Sequence, residues 1–271
     1  SVYTKIPGVL TFRGNNFRDA PVYGTTDVTE KKLQVAWTQD TGDVYAEGSH
    51  WAGAGWTGQP LLVNWPTETK QAMGLTQAQV DDPNFVEVIY PVVDGNVYRL
   101  DLATGQQTKP PINVGWAFKG TGSIDPRGYP LLYAGQGLNE NGDAKGPWQY
   151  KIFDLIQNKQ VSKISGADEV SHRQDPVGWG AFDSSALIDR YSDTLIEPGE
   201  NGIVYKAKLN ASFDAKAGKV SVKPELTKMT YRSPVSRQYG IESSAAAWKN
   251  LMWATDNDGL MVCWDARTLE V

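Results

Sequence analysis

A short unit of about 14 residues recurs along this 271-residue chain, and it constrains the fold more than any other feature. Its clearest copy is Val92-Val93-Asp94-Gly95-Asn96-Val97-Tyr98-Arg99-Leu100-Asp101-Leu102-Ala103-Thr104-Gly105. Asp-Gly between two β-prone runs predicts a hairpin, because glycine adopts positive φ without strain. Asp101 to Gly105 predicts a second tight turn at the far end. Glu200-Asn201-Gly202 leading into Ile203–Leu209, and Asp256–Gly259 leading into Leu260–Thr268, repeat the unit. A looser copy runs from Asn139-Glu140-Asn141-Gly142 to Tyr150–Leu155.

A second signal marks where each repeat begins. Small polar clusters around Gln59, Ser123, Ser184 and Ser243 each lead into an apolar run, with separations of 64, 61 and 59 residues (123 − 59, 184 − 123, 243 − 184). Units of that period with about four strands each are the blades of a β-propeller; a β-sandwich does not repeat internally at this spacing. The expected fold is therefore all-β, with four-stranded antiparallel blades starting near residues 58, 122, 183 and 242. Residues 1–32 read as an irregular segment packed on a propeller that occupies 33–271. Within it, Leu33–Thr38 alternates as a strand, and a short helical insertion spans 66–84, capped by Thr67 and stopped by Gly74. The content of 27 Gly, 10 Trp and 12 Tyr suits short strands, tight turns and packed sheets.

The net charge of -5 argues against nucleic acid as a partner. No window carries the roughly 18 apolar residues of a membrane span, so insertion into a membrane is not expected. Cys263 is the single cysteine, which excludes an internal disulfide and a cysteine-based metal site.

The motif Val-Tyr-x-Leu-Asp-x-x-Thr-Gly in Asn96–Gly105 resembles the repeat of the pyrroloquinoline-quinone-type (PQQ-like) β-propellers. Trp37-Thr38-Gln39-Asp40-Thr41-Gly42 resembles the outer strand that closes such a blade, and Phe12–Asn16 resembles the N-terminal entry of bacterial members. In the middle repeats the Asp-x-x-Thr-Gly turn has drifted to Asp154–Asn158 and Lys208–Ala211. The resemblance implies six to eight blades per ring where this chain supplies four. Three closures follow as expectations: the N-terminal strand completes the last blade within one chain, a homodimer completes the ring, or the four blades belong to a longer propeller. It also implies a location in the cell envelope or outside the cell.

Innermost strands line the channel of such a fold, so Gln59, Asp125, Asp183 and Glu242 are expected near one channel mouth, where carboxylates suit a cation or a polar ligand. The competing role is to bond backbone groups and fix the blade register. Arg13, Asn15 and Asn16 either plug the ring or present donors to an anionic or sugar ligand. Quinone-dependent members hold PQQ beside calcium, stacked on a tryptophan under a disulfide between adjacent cysteines. One cysteine excludes that disulfide; Trp51, Trp56, Trp116 and Trp179 remain as platforms, although propeller tryptophans mostly pack between sheets. His50 and His172 each follow a serine, but adjacent residues cannot form a Ser-His pair aimed as a triad requires. Asp256–Gly259 and Asn139–Asp143 resemble calcium loops without the later bidentate glutamate, and so read as turns. The expected function is a non-catalytic binding or scaffolding propeller, with no cofactor, whose partner is a protein or a small polar or sugar ligand. A PQQ- and calcium-dependent dehydrogenase and a carbohydrate-active enzyme are the alternatives.

Overall fold

A computed structural model describes residues 3–55, 58–173 and 177–271. The chain is an all-β propeller of four antiparallel blades in sequence order. Blade 1 is Leu61–Val63, Glu87–Pro91, Asn96–Asp101 and Ile112–Asn113, with Gly8–Val9 added against its inner strand. Blade 2 is Ser123–Ile124, Leu131–Gly135, Gln149–Asp154 and Lys159–Ser165. Blade 3 is Leu187–Asp189, Thr194–Pro198, Ile203–Lys208 and Glu225–Thr230. Blade 4 has three strands among the described residues: Ala246–Trp248, Leu251–Thr255 and Met261–Asp265.

The recurring turn residues explain the hairpins. Asp94 accepts from the Asn96 amide at 2.9 Å and from the Tyr98 hydroxyl at 2.6 Å, so the motif tyrosine ties its strand to the turn that precedes it. Asn201 repeats this geometry, accepting from the Ile203 amide and donating to the Tyr205 hydroxyl at 2.8 Å. Gly95 has φ +82, and a Cβ there would lie 2.9 Å from the Trp116 nitrogen, so both conformation and space demand glycine. The outer Asp is an Asx-turn acceptor: Asp101 takes the Ala103 amide, Asp154 those of Ile156 and Gln157, and Asp265 that of Arg267. Lys208 stands at that place in blade 3, where Asp193 instead accepts the Ala211 amide.

Between consecutive blades the sheets bury apolar faces. Blades 1 and 2 share Leu61, Ile89, Phe118, Leu132 and Phe153; blades 2 and 3 share Tyr133, Ile152, Phe182, Leu195 and Tyr205; blades 3 and 4 share Ile196, Val204, Met252, Val262 and Trp264. On the far face of blade 1, Val88, Val92, Tyr98 and Leu100 pack with Trp37.

The N-terminal segment is the axle of the arc. Val9 pairs with Leu62 of blade 1, and the Leu10 carbonyl accepts the Ile124 amide of blade 2 at 2.8 Å. The Thr11 hydroxyl lies 3.1 Å from that of Ser123 and 2.9 Å from that of Ser185, and Asn16 exchanges two backbone-directed bonds with Ala247 of blade 4. Buried Arg18 donates to the carbonyls of Ala245, Phe12 and Ser185 and to the Thr11 hydroxyl, at 2.7–2.9 Å.

Three local expectations are corrected. Leu33–Thr38 pairs with no strand among the described residues; within it Trp37 meets blade 1 by its side chain, the indole donating to the Leu102 carbonyl at 2.8 Å and the ring lying against Gly105. The helical insertion is two helices, Thr67–Ala72 and Gln77–Asp81; Thr67 does not cap the first, whereas Thr76 caps the second through a capping box with Gln79. Gly74, at φ +63, does end the first turn. Two hairpins, Glu140–Asn141 with Ala144–Lys145 and Ser212–Asp214 with Lys219–Ser221, are insertions beside the blades; the Asn139–Gly142 copy belongs to the first of these and is not a blade hairpin.

Candidate functional site

The lead-ins to the inner strands of blades 2, 3 and 4 each place one charged side chain at the same step. Buried Phe118, Phe182 and Ile241 are followed by Lys119, Asp183 and Glu242, 64 and 59 residues apart (183 − 119, 242 − 183). Backbone bonds fix these segments: the Ala117 carbonyl accepts the Gly137 amide at 2.8 Å, the Ala181 carbonyl accepts that of Glu200 at 2.9 Å, and the Gly199 carbonyl accepts that of Ile241 at 3.2 Å. A blade's hairpin turn is thus clasped by two lead-ins, which brings Glu200 to the charged row.

Lys119 Nζ lies 2.8 Å from Asp183 Oδ2, both buried. Arg173 Nη1 is 3.1 Å from Glu200 Oε1 and donates to the Glu200 carbonyl at 2.6 Å, while the Trp179 indole donates to Glu200 Oε2 at 2.7 Å. Asn257 donates to Glu242 at 2.8 Å. Aromatic rings frame the cations: Lys119 Nζ is 6.0 Å from the rings of Trp51 and Trp179, and the Arg173 guanidinium is 5.7 Å from Trp179. Burial pushes the Asp183 carboxyl up to about 6 against the pull of Lys119, and the Glu200 carboxyl up to about 7 with Asp183 adding to it. Among the described residues, no group of three or more His, Cys, Asp and Glu side chains is arranged to hold a metal ion.

Both raised carboxyls bind protons more tightly folded than unfolded, so they stabilise the fold most below about pH 4 and lose that contribution as pH rises through about 6–7. His172, whose pKa burial lowers, acts in the opposite sense. Glu200→Gln keeps an acceptor for Trp179 and is expected to flatten the fall in melting temperature between pH 5 and pH 8; an unchanged pH profile would remove Glu200 from this account.

Of the residues picked from sequence, Asp183 and Glu242 share this mouth. Gln59 sits beside it in blade 1, donating its amide to the Thr121 hydroxyl at 3.0 Å and accepting the Arg13 amide at 2.9 Å. Asp125 does not join them: it follows its inner strand instead of preceding it, and there it binds Arg127 at 2.6 Å and the Tyr133 hydroxyl at 3.2 Å. The Arg13 side chain is exposed, Asn15 bonds Asp19 within its own turn, and Asn16 anchors the segment to blade 4. Trp56 lies outside the described residues. Trp116 lies against Gly146. His50 is held by Asp43 at 2.7 Å in an exposed hairpin, and His172 meets the Tyr239 ring edge-on at 6.1 Å. Asp256 and Asp258 spend their oxygens on the amides and hydroxyls of Ser236, Arg237, Gln238 and Leu260, as turn residues do. Sequence reasoning missed Lys119, Arg173 and Glu200; the apolar-then-charged step at Phe118-Lys119, Phe182-Asp183 and Ile241-Glu242 was the signal for the first.

At the other end of the inner strands, blades 3 and 4 enclose a cavity of about 810 Å³. Trp248 and Tyr191 line it, 52% and 76% exposed, each with a cation on its ring: Lys249 at 4.5 Å and Arg190 at 4.9 Å. Lys206, whose ammonium reaches the Arg267 carbonyl, and Arg267, ion-paired with Asp265 at 3.0 Å, complete a cation-rich rim that also holds Asp189.

No family model and no curated protein matches the sequence. Solved structures that resemble it include the computationally designed Ika4 protein (10% identity, TM-score 0.39, 66% of this chain and 84% of that one). BamB from Moraxella catarrhalis gives 11%, 0.41, 68% and 44%, and Saccharomyces cerevisiae Sqt1 gives 12%, 0.46, 70% and 44%. The chain therefore spans under half the length of the latter two. The propeller assignment rests on the sheets of the chain itself.

Proposed function

We propose that the chain is a non-catalytic protein-binding scaffold, and that the cavity between blades 3 and 4 receives an acidic peptide segment of its partner. The observation that carries this is the open cationic and aromatic lining, Arg190, Lys206 and Lys249 around Tyr191 and Trp248. Stacked aromatic–cation pairs offer an apolar surface and a positive field together, which suits a carboxylate next to an apolar side chain. The opposite mouth supports a structural role for its charges, since Lys119, Asp183, Arg173 and Glu200 are spent on one another. An envelope or extracellular setting belongs to the same proposal and draws on the motif resemblance alone.

A fluorescein-labelled peptide alternating Glu and Phe is the probe. Saturable anisotropy is expected, weakened at least tenfold by Arg190→Ala with Trp248→Ala and by 0.5 M salt. Binding no tighter than that of a Ser/Gly peptide of equal length would sink the reading. Titration of the chain with PQQ and calcium is expected to give no saturable tryptophan quenching; saturation would restore the dehydrogenase reading.

A further inference from the structure

The turn between the first and second strands carries an arginine on a tyrosine ring in both blade 2 and blade 3, but the two arginines end differently. In blade 2 Arg127 lies over Tyr129 at 4.5 Å. Its Nε and Nη2 hold the two oxygens of Asp125 at 2.8 and 2.6 Å, and its Nη1 crosses to Asp193 of blade 3 at 2.6 Å. One carboxylate comes from its own turn and one from the next blade, so the whole fork is spent.

In blade 3 Arg190 lies over Tyr191 at 4.9 Å. Asp189 follows Ile188 as Asp125 follows Ile124, and Ile188 and Ile124 face Leu195 and Leu132 in the same register. The Asp189 oxygens, however, accept the Tyr191 amide at 3.2 Å and the Ser192 amide and hydroxyl at 3.2 and 2.5 Å. The next blade withholds the second carboxylate. Asp193 stands immediately before the second strand of blade 3, and the residue immediately before that of blade 4 is Asn250, whose amide donates to Asp265 at 2.5 Å. Asp265 is itself paired with Arg267 at 3.0 Å. Among the described residues, the Arg190 guanidinium keeps one bond, from Nη2 to the Tyr191 hydroxyl at 2.9 Å, and its buried Nε has no acceptor.

Arg190 and Asn250 both line the cavity between blades 3 and 4. We propose that a carboxylate of the bound acidic segment takes the place at Arg190 that Asp193 holds at Arg127, docking on the Nη1 end of the guanidinium while Trp248 in the same lining receives the adjoining apolar side chain. This rests on the reading of the cavity as a peptide seat and names the residue that sets its specificity. Nη2 carries a second proton beside those of Nη1, so the end of the fork holds both oxygens of a carboxylate, which a neutral amide matches poorly. The other cations are unequal to it: Lys206 already reaches the Arg267 carbonyl, and Lys249 lies on the Trp248 ring at 4.5 Å. They add a positive field without a fork.

Two fluorescein-labelled peptides of equal length, one alternating Glu and Phe and the other Gln and Phe, separate this proposal from the wider reading. The parent chain is expected to prefer the Glu peptide by about tenfold or more, as a charge-assisted bond allows. Arg190→Lys keeps the charge and loses the fork, and is expected to cut that preference to about threefold or less. With isotope-labelled arginine, the Nε–H resonance missing from Arg190→Lys or Arg190→Gln is expected to shift most when the parent chain is titrated with the Glu peptide. A full preference surviving in Arg190→Lys, or a shift shared evenly among the arginines, would overturn the proposal and leave the peptide reading standing. Equal binding of the two peptides by the parent chain would remove the acidic specificity and the proposal with it, and no saturable binding of either would sink both.

Discussion

Replacing Arg18 by methionine is expected to lower the free energy of unfolding by about 3–5 kcal/mol, about 10 °C in melting temperature for a chain of this size. The guanidinium joins four buried acceptors from the N-terminal segment, blade 3 and blade 4: the carbonyls of Phe12, Ser185 and Ala245 and the Thr11 hydroxyl. Methionine fills much of the space but removes the guanidinium donor from the three carbonyls, and a buried unsatisfied acceptor costs about 1–3 kcal/mol. Burial brings the Arg18 pKa down to about 10, which still leaves it charged at neutral pH. Burial holds the carboxyl of nearby Glu197 well above the usual carboxylate range, against the pull of Arg18. Arg13→Ala, with an exposed side chain, should change stability by less than about 0.5 kcal/mol. Denaturant unfolding of the two variants checks the contrast, and a loss under 1 kcal/mol for Arg18→Met would show that the axle does not hold the blades.

The second large effect is expected at Arg99. Its Nε lies 3.0 Å from Glu87 Oε1 with both side chains at zero exposure, and its Nη1 donates to the Leu155 carbonyl at 2.8 Å and to Asn158 at 3.1 Å. Glu87 also accepts the Trp65 indole at 2.7 Å and the Thr108 hydroxyl at 2.5 Å. Arg99→Met strands the Glu87 carboxylate in the core between blades 1 and 2 and should cost about 3–5 kcal/mol. Adding Glu87→Gln should recover part of that, because the amide keeps an acceptor for Trp65 without a buried charge. A double variant as unstable as the sum of the two singles would mean that the pair is not coupled.

The single sequence determined the blades, because hairpin turns are local: Asp94-Gly95 and Asn201-Gly202 carry their own φ requirement and their own tyrosine at i+4. It also determined the Asx turn at Asp101, Asp154 and Asp265, and the turn nature of Asp256–Gly259, where Asp256 Oδ1 accepts the Asp258 and Leu260 amides of its own loop. Only the tertiary structure decided the site. Asp125 and Asp183 both flank an inner strand, but one follows it and the other precedes it, so they sit at opposite ends. Arg173 and Glu200 come from different loops and meet because backbone bonds from Ala181 and Gly199 clasp the blade 3 hairpin between two lead-ins. Arg18 looked interchangeable with Arg13 in the string Arg13-Gly14-Asn15-Asn16-Phe17-Arg18, yet one is exposed and the other buried. Leu33–Thr38 has the alternation of a strand and no strand partner among the described residues. Turn propensity acts over four or five residues, whereas burial, ion pairing and strand partnership depend on what the rest of the chain brings within a few ångströms.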